Sequence, residues 1–440
     1  MNHDSALPKP EGKLGVLVGG LNGSVATTLI AGTFAVRKGL ARPIGSLTQS
    51  ARLSSEPAHP NNRPLIREVV PLADLNDVVF GGWDIRNETA YAAARNARVL
   101  EEKDLFGVKD ELETLRPMKG VFERNFVPRL SGVWVKSGLT KFDLVEQLRD
   151  DIREFRRAQG VSRLVMIWCG STEIRMPPRT VHRDLDAFIS GLKRNDPGIS
   201  PSMLYAFAAL SEDVPHVNCT PNMMTDCPAL NELAGIRRVP LAGKDLKTGQ
   251  TLVKTVLAPM LKARMLGISG WFSTNLLGNR DGEVLDDPEC FRAKEQSKLS
   301  SLEKILEPEL YPQLYGDVYH KVTIHYYPPR GDNKEGWDNV DLFGWMGYPM
   351  QLKINFLCRD SILAAPVVLD LALFMDLAVR AGAAGIQDWL SFFFKCPLHA
   401  RNDPPEHNLF AQLAKLEAEL RRLAAGERSV IESTADLIGR

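Results

Sequence analysis

Cysteine is scarce in this chain, and its spacing argues against a metal or redox motif. Six cysteines are spread over 440 residues, with neither a C-x-x-C pair nor a histidine–cysteine pattern of the kind that binds zinc. No G-x-S-x-G or Walker A sequence occurs, and the first 13 residues lack the apolar core of a signal peptide. Scattered, reduced thiols are typical of cytoplasmic proteins, so we expect a cytoplasmic location.

An excess of either charge is missing as well. Lys+Arg and Asp+Glu both number 54, so the formal net charge is zero, and a nucleic-acid partner, which favours a basic face, is not expected. The most apolar long stretch, residues 361–378, is interrupted by Pro366, Asp370 and Asp376. These three residues predict a buried helix and no membrane insertion.

What the sequence does contain is a series of short apolar runs, each closed by glycine or polar residues. Such runs are typical of parallel strands that are buried on both faces of an α/β sheet. In the first half of the chain they lie at residues 14–18, 77–80, 164–168, 204–210 and 214–217. The first run leads through a glycine turn, residues 19–24, into a helical stretch, which is how a dinucleotide-binding unit begins.

From about residue 265 the pattern changes. Residues 268–273, 322–327 and 351–357 read as strands, several with alternating apolar and polar positions, as in a half-exposed or mixed sheet. We predict an α/β protein with a first domain over residues 1–250, an α+β domain over residues 251–359, and a return to the first domain over residues 360–440. Regularly spaced leucines at residues 409–423 predict a helix that packs either within the chain or against another subunit.

The glycine turn and a later acidic residue form the first candidate site. The turn comprises Gly19, Gly20, Asn22, Gly23 and Ser24. Its glycines and the following helix N-terminus can bind a pyrophosphate, although the pattern is not G-x-G-x-x-G and a tight strand–helix turn is the alternative. Asp84, which ends another apolar run, suits either a ribose hydroxyl or the N-cap of a helix.

A second candidate lies where a helical stretch begins after residue 247. Thr248, Gly249 and Thr251 supply backbone N–H groups and hydroxyls near several lysines, which suits a phosphate monoester. The alternative is an ordinary capped helix start.

Four lysines and one aspartate complete the candidates. Lys294 and Lys298 would share one face of a helix, Lys334 follows a glycine turn, and Lys395 follows three phenylalanines. A lysine in apolar surroundings can transfer protons, but a single lysine is by default a solvated surface charge. Asp360, at the start of the apolar helix, is either an N-cap or a group that orients a lysine or binds a cation.

Taken in order, these segments resemble the myo-inositol-1-phosphate synthase family. The resemblance runs from about residue 13 to residue 398, and no single motif carries it. The matching segments are residues 20–24, 82–85, 168–173, 218–222, 245–251, 277–282, 291–298, 331–334, 360–366 and 395–398.

The resemblance implies a Rossmann-like NAD-binding domain with a central α+β domain that carries catalysis and oligomerisation, in a homotetramer. It implies the NAD-dependent isomerisation of D-glucose 6-phosphate to 1L-myo-inositol 1-phosphate. The implied steps are oxidation at C5, enolisation, ring closure by intramolecular aldol addition, and re-reduction. The cofactor is NAD, and a monovalent or divalent cation is left open.

The resemblance also assigns a role to each candidate residue. The residues assigned to catalysis are Lys294, Lys334, Lys395, Asp245 and Asp360. Those assigned to the substrate phosphate are Lys298, Thr248, Gly249, Gln250 and Thr251. Those assigned to the cofactor are Gly19, Gly20, Asn22, Gly23, Ser24, Asp84, Ile85, Thr172, Asn218 and Asp281.

Several positions depart from the family pattern. Lys244, Arg280 and Cys219 differ from its usual residues, and these differences concern cofactor and cation handling more than the four lysines. Two alternatives therefore remain beside the synthase: an NAD-dependent enzyme acting on another sugar phosphate, and an NAD-binding protein without catalysis.

Overall fold

The first of two sheets is parallel, with six strands from residues 13–243 and a seventh from residues 385–386. The computed structural model describes residues 7–53, 63–399 and 405–426, with backbone only for residues 293–301. Seven strands form this sheet in the order β11-β6-β5-β4-β1-β2-β3. Their bounds are β1 Lys13–Gly19, β2 Val78–Asp84, β3 Met118–Lys119, β4 Val161–Trp168, β5 His216–Asn218, β6 Pro240–Gly243 and β11 Gly385–Ile386. The α/β class predicted from the apolar runs is confirmed.

The second sheet is mixed and has four strands in the order β10-β9-β7-β8. They are β7 Gly267–Leu277, β8 Tyr319–Tyr326, β9 Asn333–Phe343 and β10 Pro349–Arg359. β7 pairs parallel to β8 and antiparallel to β9. One face packs against helices through Trp271 and Val340, whereas the other face leaves Phe272 and Trp337 exposed. The domain boundaries at residues 250 and 359 stay a prediction, but all strands of this sheet fall between them.

Sixteen α-helices surround the two sheets in the described ranges. They are α1 Ser24–Arg37, α2 Leu47–Ser50, α3 Ile66–Val69, α4 Ala90–Ala97, α5 Glu102–Phe106, α6 Lys109–Thr114, α7 Lys141–Gln159, α8 Leu185–Lys193, α9 Pro201–Ser211, α10 Pro228–Arg237, α11 Gly249–Ala263, α12 Arg280–Leu285, α13 Pro288–Leu306, α14 Pro312–Tyr315, α15 Asp360–Arg380 and α16 Leu409–Ala424. Short 3-10 helices lie at Leu75–Asp77, Thr180–His182, Pro328–Arg330, Trp345–Gly347 and Asp388–Phe393.

One predicted strand is wrong. Residues 204–210 belong to α9, which begins with Pro201 at its first turn and is buried almost throughout. A short apolar run that is buried on all sides has no periodicity that separates a strand from a helix. Alanine and leucine favour the helix here, and the favourable position of proline at the first helical residue fixes its start.

The long apolar helix α15 is a core element. It is the only described helix that is long and apolar enough to cross a membrane, and 72% of its most apolar window is buried inside the protein. Asp370 accepts hydrogen bonds from Ser46 and Thr48 hydroxyls at 2.6 Å, and Asp376 pairs with Arg163 at 2.6 Å. Partnered carboxylates of this kind are compatible with a protein interior. The prediction of a buried helix is confirmed.

The C-terminal leucines pack within the same chain. Leu416, Leu420 and Leu423 of α16 are buried in the cluster that also holds α15 and the 3-10 helix Asp388–Phe393. The chain returns to the first sheet through α15, which packs in the same core cluster as β1 and β4. The C-terminal helix α16 packs against the 3-10 helix Asp388–Phe393.

Candidate active site

A cavity of about 610 Å³ opens where the parallel strands end. The residues after β1, β2, β4 and β5 line one side of it, and the turn after β7 lines the other. The carboxyl ends of parallel strands are where open α/β sheets bind ligands, because loops and helix N-termini meet there. Twelve of the residues predicted from the sequence line this cavity: Gly20, Asn22, Gly23, Ser24, Asp84, Ile85, Thr172, Asp245, Thr248, Asp281, Asp360 and Lys395.

The glycine turn lines the cavity, although the N–H groups of residues 20–23 already donate to protein acceptors. Gly20 has φ +84, and a Cβ there would lie 3.0 Å from the Cα atom of Gly170, so a side chain would crowd the turn. Gly23 is the N-cap of α1 and supplies no side-chain cap. The Oδ1 atom of Asn22 is buried without a protein partner in the described residues. The uncapped N–H groups of the first turn of α1 and an unsatisfied acceptor beside a cavity fit the pyrophosphate and hydroxyl groups of NAD.

Asp84 is tied to this turn and does not cap a helix. Its carboxylate accepts hydrogen bonds from the backbone N–H of Asn22 at 2.9 Å and of Arg86 at 3.2 Å. The next helix, α4, is capped instead by Thr89. Burial raises the pKa of Asp84, although the backbone hydrogen bonds oppose the shift. The N-cap alternative for Asp84 is therefore wrong, and its carboxylate holds the glycine turn against the end of β2.

Replacing Asp84 with alanine is expected to raise the Kd for NAD by about tenfold or more, because the turn loses the charge-assisted hydrogen bond that fixes it. Isothermal titration calorimetry of NAD binding measures this change. Asp77→Ala, an exposed position in the 3-10 helix just before β2, serves as the control and is expected to leave the Kd unchanged. An unchanged Kd in Asp84→Ala would contradict the assignment.

Three other predicted cofactor residues lie at or behind the cavity wall. Thr172 is buried and lines the cavity. Gly19 ends β1, where a Cβ would lie 2.4 Å from the ring of Trp168, so it makes room for that indole. Asn218 does not line the cavity. Its amide donates to the carbonyl of Asn222 at 2.9 Å and accepts from Thr220, which gives it a part in shaping the loop after β5.

Lys395 and Asp245 form a buried ion pair at the cavity. Lys395 Nζ lies 3.1 Å from Asp245 Oδ1, and both side chains are buried. Backbone pairing brings them together, since Lys395 N donates to the carbonyl of Asp245 at 2.6 Å and Leu246 forms a bridge with Phe394. A buried ammonium beside a carboxylate is a positioned charge that can stabilise a developing oxyanion.

A second pair joins Lys334 and Asp360. Lys334 Nζ lies 3.1 Å from Asp360 Oδ2, and the hydroxyl of Thr248 donates to Asp360 Oδ1 at 2.9 Å. Burial by itself raises the pKa of Asp360. Lys334, Lys395 and the Thr248 hydrogen bond together lower it by more than burial raises it, so the net pKa lies below the usual range. The carboxylate therefore stays charged at neutral pH. Asp360 and Lys395 line the cavity, whereas Lys334 does not.

The start of α11 divides the predicted phosphate residues into two groups. Thr248 and Gly249 face Asp360, and a Cβ at Gly249 would lie 3.9 Å from its Oδ1 atom. Gln250 points away, because its amide donates to the carbonyls of Thr274 and Trp337 and so ties α11 to the second sheet. Thr251 is buried, and its hydroxyl has no protein partner in the described part of the chain.

Two predicted lysines lie outside the described side chains. The backbone places Lys294 and Lys298 on α13, whose side chains at residues 293–301 are not described. Asp281, in the first turn of α12, lines the cavity opposite the glycine turn. Asn279 caps that helix by accepting from the Gly282 N–H at 3.1 Å.

Sequence reasoning missed Asp332, which links three parts of the site. Its buried carboxylate accepts from Asn279 at 2.8 Å and from the hydroxyl of Ser361 at 2.8 Å. Burial raises the pKa of Asp332, and those hydrogen bonds oppose the shift. Asp332 could have been found from the sequence, because it lies two residues before Lys334 in a segment that matches the family.

Lys247, two residues after Asp245, is a buried lysine that sequence reasoning also left without a role. Its ammonium donates to the side chain of Gln412 in α16 and lies 5.8 Å from the centre of the Phe392 ring. Burial lowers its pKa to about 7. The contact fastens the segment of Asp245 to the C-terminal helix.

The lowered pKa predicts how stability depends on pH. The unfolded lysine has a pKa of about 10.4, so between pH 7 and 10 the unfolded chain binds more protons than the folded one, and stability rises with pH over that window. From pH 6.5 to pH 9, Lys247 contributes an increase of about 2 kcal/mol in the free energy of unfolding. Lys247→Met is expected to remove this increase in urea unfolding.

A matched control is Lys109→Met, because Lys109 is exposed and lies 5.4 Å from the Tyr91 ring centre in a similar contact. It is expected to leave the pH slope of the wild type in place. The same slope in Lys247→Met as in wild type would show that Lys247 is not the buried group responsible.

The sequence of this chain is similar to those of known proteins. A family model described as myo-inositol-1-phosphate synthase matches residues 14–421. Inositol-3-phosphate synthase 1 of Bacteroides thetaiotaomicron is 59% identical over 413 residues, which cover 94% of this chain and 96% of that protein. Inositol-3-phosphate synthase 1 of Oryza sativa subsp. japonica is 34% identical over 436 residues, covering 93% and 85%.

The fold agrees with these sequence matches. The crystal structure of inositol-3-phosphate synthase from Caenorhabditis elegans superposes with a TM-score of 0.87 at 26% identity, covering 99% of this chain and 90% of that chain. A myo-inositol-1-phosphate synthase-related protein from Thermotoga maritima shares the fold at 20% identity with a TM-score of 0.72. Because the matched region spans both sheets and the cavity between them, the chain belongs to the myo-inositol-1-phosphate synthase family.

Proposed function

We propose that this protein is an inositol-3-phosphate synthase. It converts D-glucose 6-phosphate to 1L-myo-inositol 1-phosphate, which is inositol 3-phosphate in the D numbering, through oxidation at C5, enolisation, ring closure and re-reduction. The observation that carries the proposal is one cavity that is lined by the glycine turn, by the Lys395–Asp245 pair and by Asp360, whose carboxylate also pairs with Lys334. A simple dehydrogenase needs one proton-transferring group, whereas enolisation and aldol closure need several.

The glycine turn, Asp84, Ile85 and Thr172 would hold NAD, with Asp281 opposite them. Bound NAD supplies the oxidation at C5 at the start of the cycle and the reduction that ends it. Asn22 contributes an acceptor oxygen that protein groups leave unsatisfied in the described chain. The tight turn at Gly20 brings the start of α1 to the cavity, where the uncapped N–H groups of its first turn would bind a pyrophosphate.

In this proposal the lysines transfer protons and stabilise oxyanions. Lys395 and Lys334, each held at 3.1 Å from a carboxylate, transfer protons at O5 and C6 of the sugar and stabilise the oxyanions that develop there. Asp245 and Asp360 position these ammonium groups and keep them charged between steps. Lys294, on α13, is given the same proton-transferring role by its place in the family motif.

The substrate phosphate binds at the start of α11. Thr248, Gly249 and Thr251 supply hydroxyl and backbone donors, and Lys298 supplies the charge that its motif position implies. The unpartnered, buried hydroxyl of Thr251 supports this assignment. Gln250 acts from behind by fixing α11 to β7 and β9.

The proposal also includes a bound cation, either monovalent or divalent. No cluster of three or more His, Cys, Asp or Glu side chains suited to a metal occurs among the described residues. We propose that a monovalent or divalent ion, if bound, lies beside Asp281, which lines the cavity.

Turnover tests the proposal directly. Purified protein incubated with glucose 6-phosphate and NAD is expected to form inositol phosphate without net accumulation of NADH, detected by chromatography and absorbance at the same time. Potassium, ammonium and magnesium salts are compared in parallel. Accumulating NADH without a cyclised product would indicate a dehydrogenase and contradict the proposal.

The open face of the second sheet supports a homotetramer. Phe272, Trp337 and Leu357 lie on that face and are 41%, 44% and 58% exposed. Exposed large apolar side chains that share one face of a sheet are typical of subunit interfaces. Light scattering after gel filtration is expected to give four times the chain mass, and Trp337→Glu to lower it. We place the enzyme in the cytoplasm, because scattered free cysteines are typical of proteins there.

A further inference from the structure

Two cysteines from neighbouring strands lie side by side at the cofactor end of the cavity. Cys169 follows β4 and Cys219 follows β5, and both line the cavity. The parallel ladder continues up to them, since Trp168 pairs with Asn218 and Cys219 N donates to the carbonyl of Trp168 at 3.0 Å. Equivalent positions on adjacent strands point their side chains to the same face.

This placement suits a disulfide bond. Neighbouring strands lie about 4.8 Å apart, within the Cα separation of about 4.4–6.8 Å that disulfides need. The thiol of Cys219 is close enough to hydrogen-bond with Cys169. Both residues are free cysteines, with Cys219 buried and Cys169 partly exposed. Burial, followed by the interaction with Cys169, raises the pKa of Cys219, so Cys169 is the thiol that a reagent meets first.

The pair is also joined to both halves of the site. Cys169 N donates to the carbonyl of Gly19 at 2.9 Å, next to the glycine turn. Leu246 N donates to the carbonyl of Cys219 at 3.2 Å, next to Asp245. A covalent link between the two sulfurs would therefore restrain both the glycine turn and the segment that carries Asp245.

We propose that Cys169 and Cys219 form a reversible dithiol–disulfide pair that low-molecular-weight disulfides oxidise in the NAD-free enzyme and that bound NAD shields. The Cys169 thiolate attacks the reagent disulfide and releases one thiol. Cys219 then loses its proton, attacks the Cys169 sulfur and releases the second thiol. Two protein thiols and one disulfide thus become one protein disulfide and two thiols. The shielding rests on the proposed function, whereas the linkage rests on the thiol geometry alone.

Oxidation of the full-length wild-type enzyme tests the pair. Charcoal-treated, reduced enzyme is exposed to glutathione disulfide with and without NAD, the remaining thiols are alkylated, and peptides are mapped by mass spectrometry. We expect one cross-linked peptide pair, Cys169 with Cys219, lacking two hydrogen atoms. NAD at about a hundred times its Kd is expected to slow the linkage about a hundredfold, because only free enzyme reacts. The linked enzyme is expected to lose turnover, because the bond acts on the cofactor turn and on the segment of Asp245, and dithiothreitol is expected to restore it.

Variants separate this pair from the other thiols. Cys169→Ala and Cys219→Ala are each expected to abolish the cross-link, and Cys227→Ala, which removes a buried thiol elsewhere, to retain it. A mixed disulfide on Cys169 that never passes to Cys219, or a linkage rate that NAD does not change, would overturn the proposal. An enzyme that turns over but never links contradicts this inference alone. A protein that links but never cyclises glucose 6-phosphate contradicts the proposed function alone.

Discussion

Lys395→Met is expected to lower kcat by about 10²–10⁴-fold, the range that a positioned proton-transferring group contributes. The buried ammonium 3.1 Å from Asp245 is lost, and methionine fills much of the same space without a charge. Steady-state kinetics with glucose 6-phosphate give kcat, and calorimetry gives the Kd for NAD, which is expected to stay within about threefold because the glycine turn is intact.

Two comparisons make this result specific to the side chain's chemistry. Lys415→Met removes a lysine that pairs with Asp388 at 2.7 Å and is 42% exposed, and is expected to keep wild-type kcat. Removing one partner of a buried pair also destabilises a protein by about 3–5 kcal/mol, so thermal unfolding of Lys395→Met and of the double variant with Asp245→Asn is measured too. If kcat returned in the double variant, Lys395 would have a structural role only.

Asp360→Asn is expected to lower kcat by about 10²-fold, since it removes the carboxylate that faces Lys334 and influences Lys395. The shape is kept, so the hydrogen bond from Thr248 can be retained by the amide oxygen. An anion stabilises a neighbouring ammonium, so the alkaline limb of the pH–rate profile is expected to move to lower pH in this variant. A merely structural residue would lower activity without moving that limb.

The matched control is Asp150→Asn on α7, an exposed carboxylate 3.2 Å from Arg153. It is expected to leave both kcat and the pH–rate profile as in wild type, because exposed ion pairs contribute little. A wild-type profile in Asp360→Asn would assign proton transfer to groups other than the Lys334–Asp360 pair.

The strand carrying Lys334 shows where sequence periodicity failed. β9 places Lys334, Gly336 and Asp338 at buried positions, so its buried face is not apolar and the alternation is hidden. Asp338 is satisfied there by Trp271 and Ser273, at 2.8 Å and 2.6 Å. Polar residues enter a buried face only when such partners exist, and those partners lie on another strand that the local sequence does not specify.

The sequence by itself determined where the chemistry would gather. Apolar runs closed by glycine and polar residues specify parallel strands, and the carboxyl ends of such strands must meet at one edge of the sheet. Gly20, Asp84 and Thr172 could therefore be assigned to one region before any contact was known. The family motifs added the lysines and their order along the chain.

Only the tertiary structure decided which charges meet. Asp245 and Lys395 are separated by 150 positions, and they become neighbours because the segment after β6 pairs with the segment after the 3-10 helix Asp388–Phe393. Likewise, Asp84 could be a helix cap by position, and the contact with Asn22 excluded it. Ion pairs and hydrogen bonds depend on separations of a few ångströms, whereas residue type and spacing determine only which segments are apolar enough to pack.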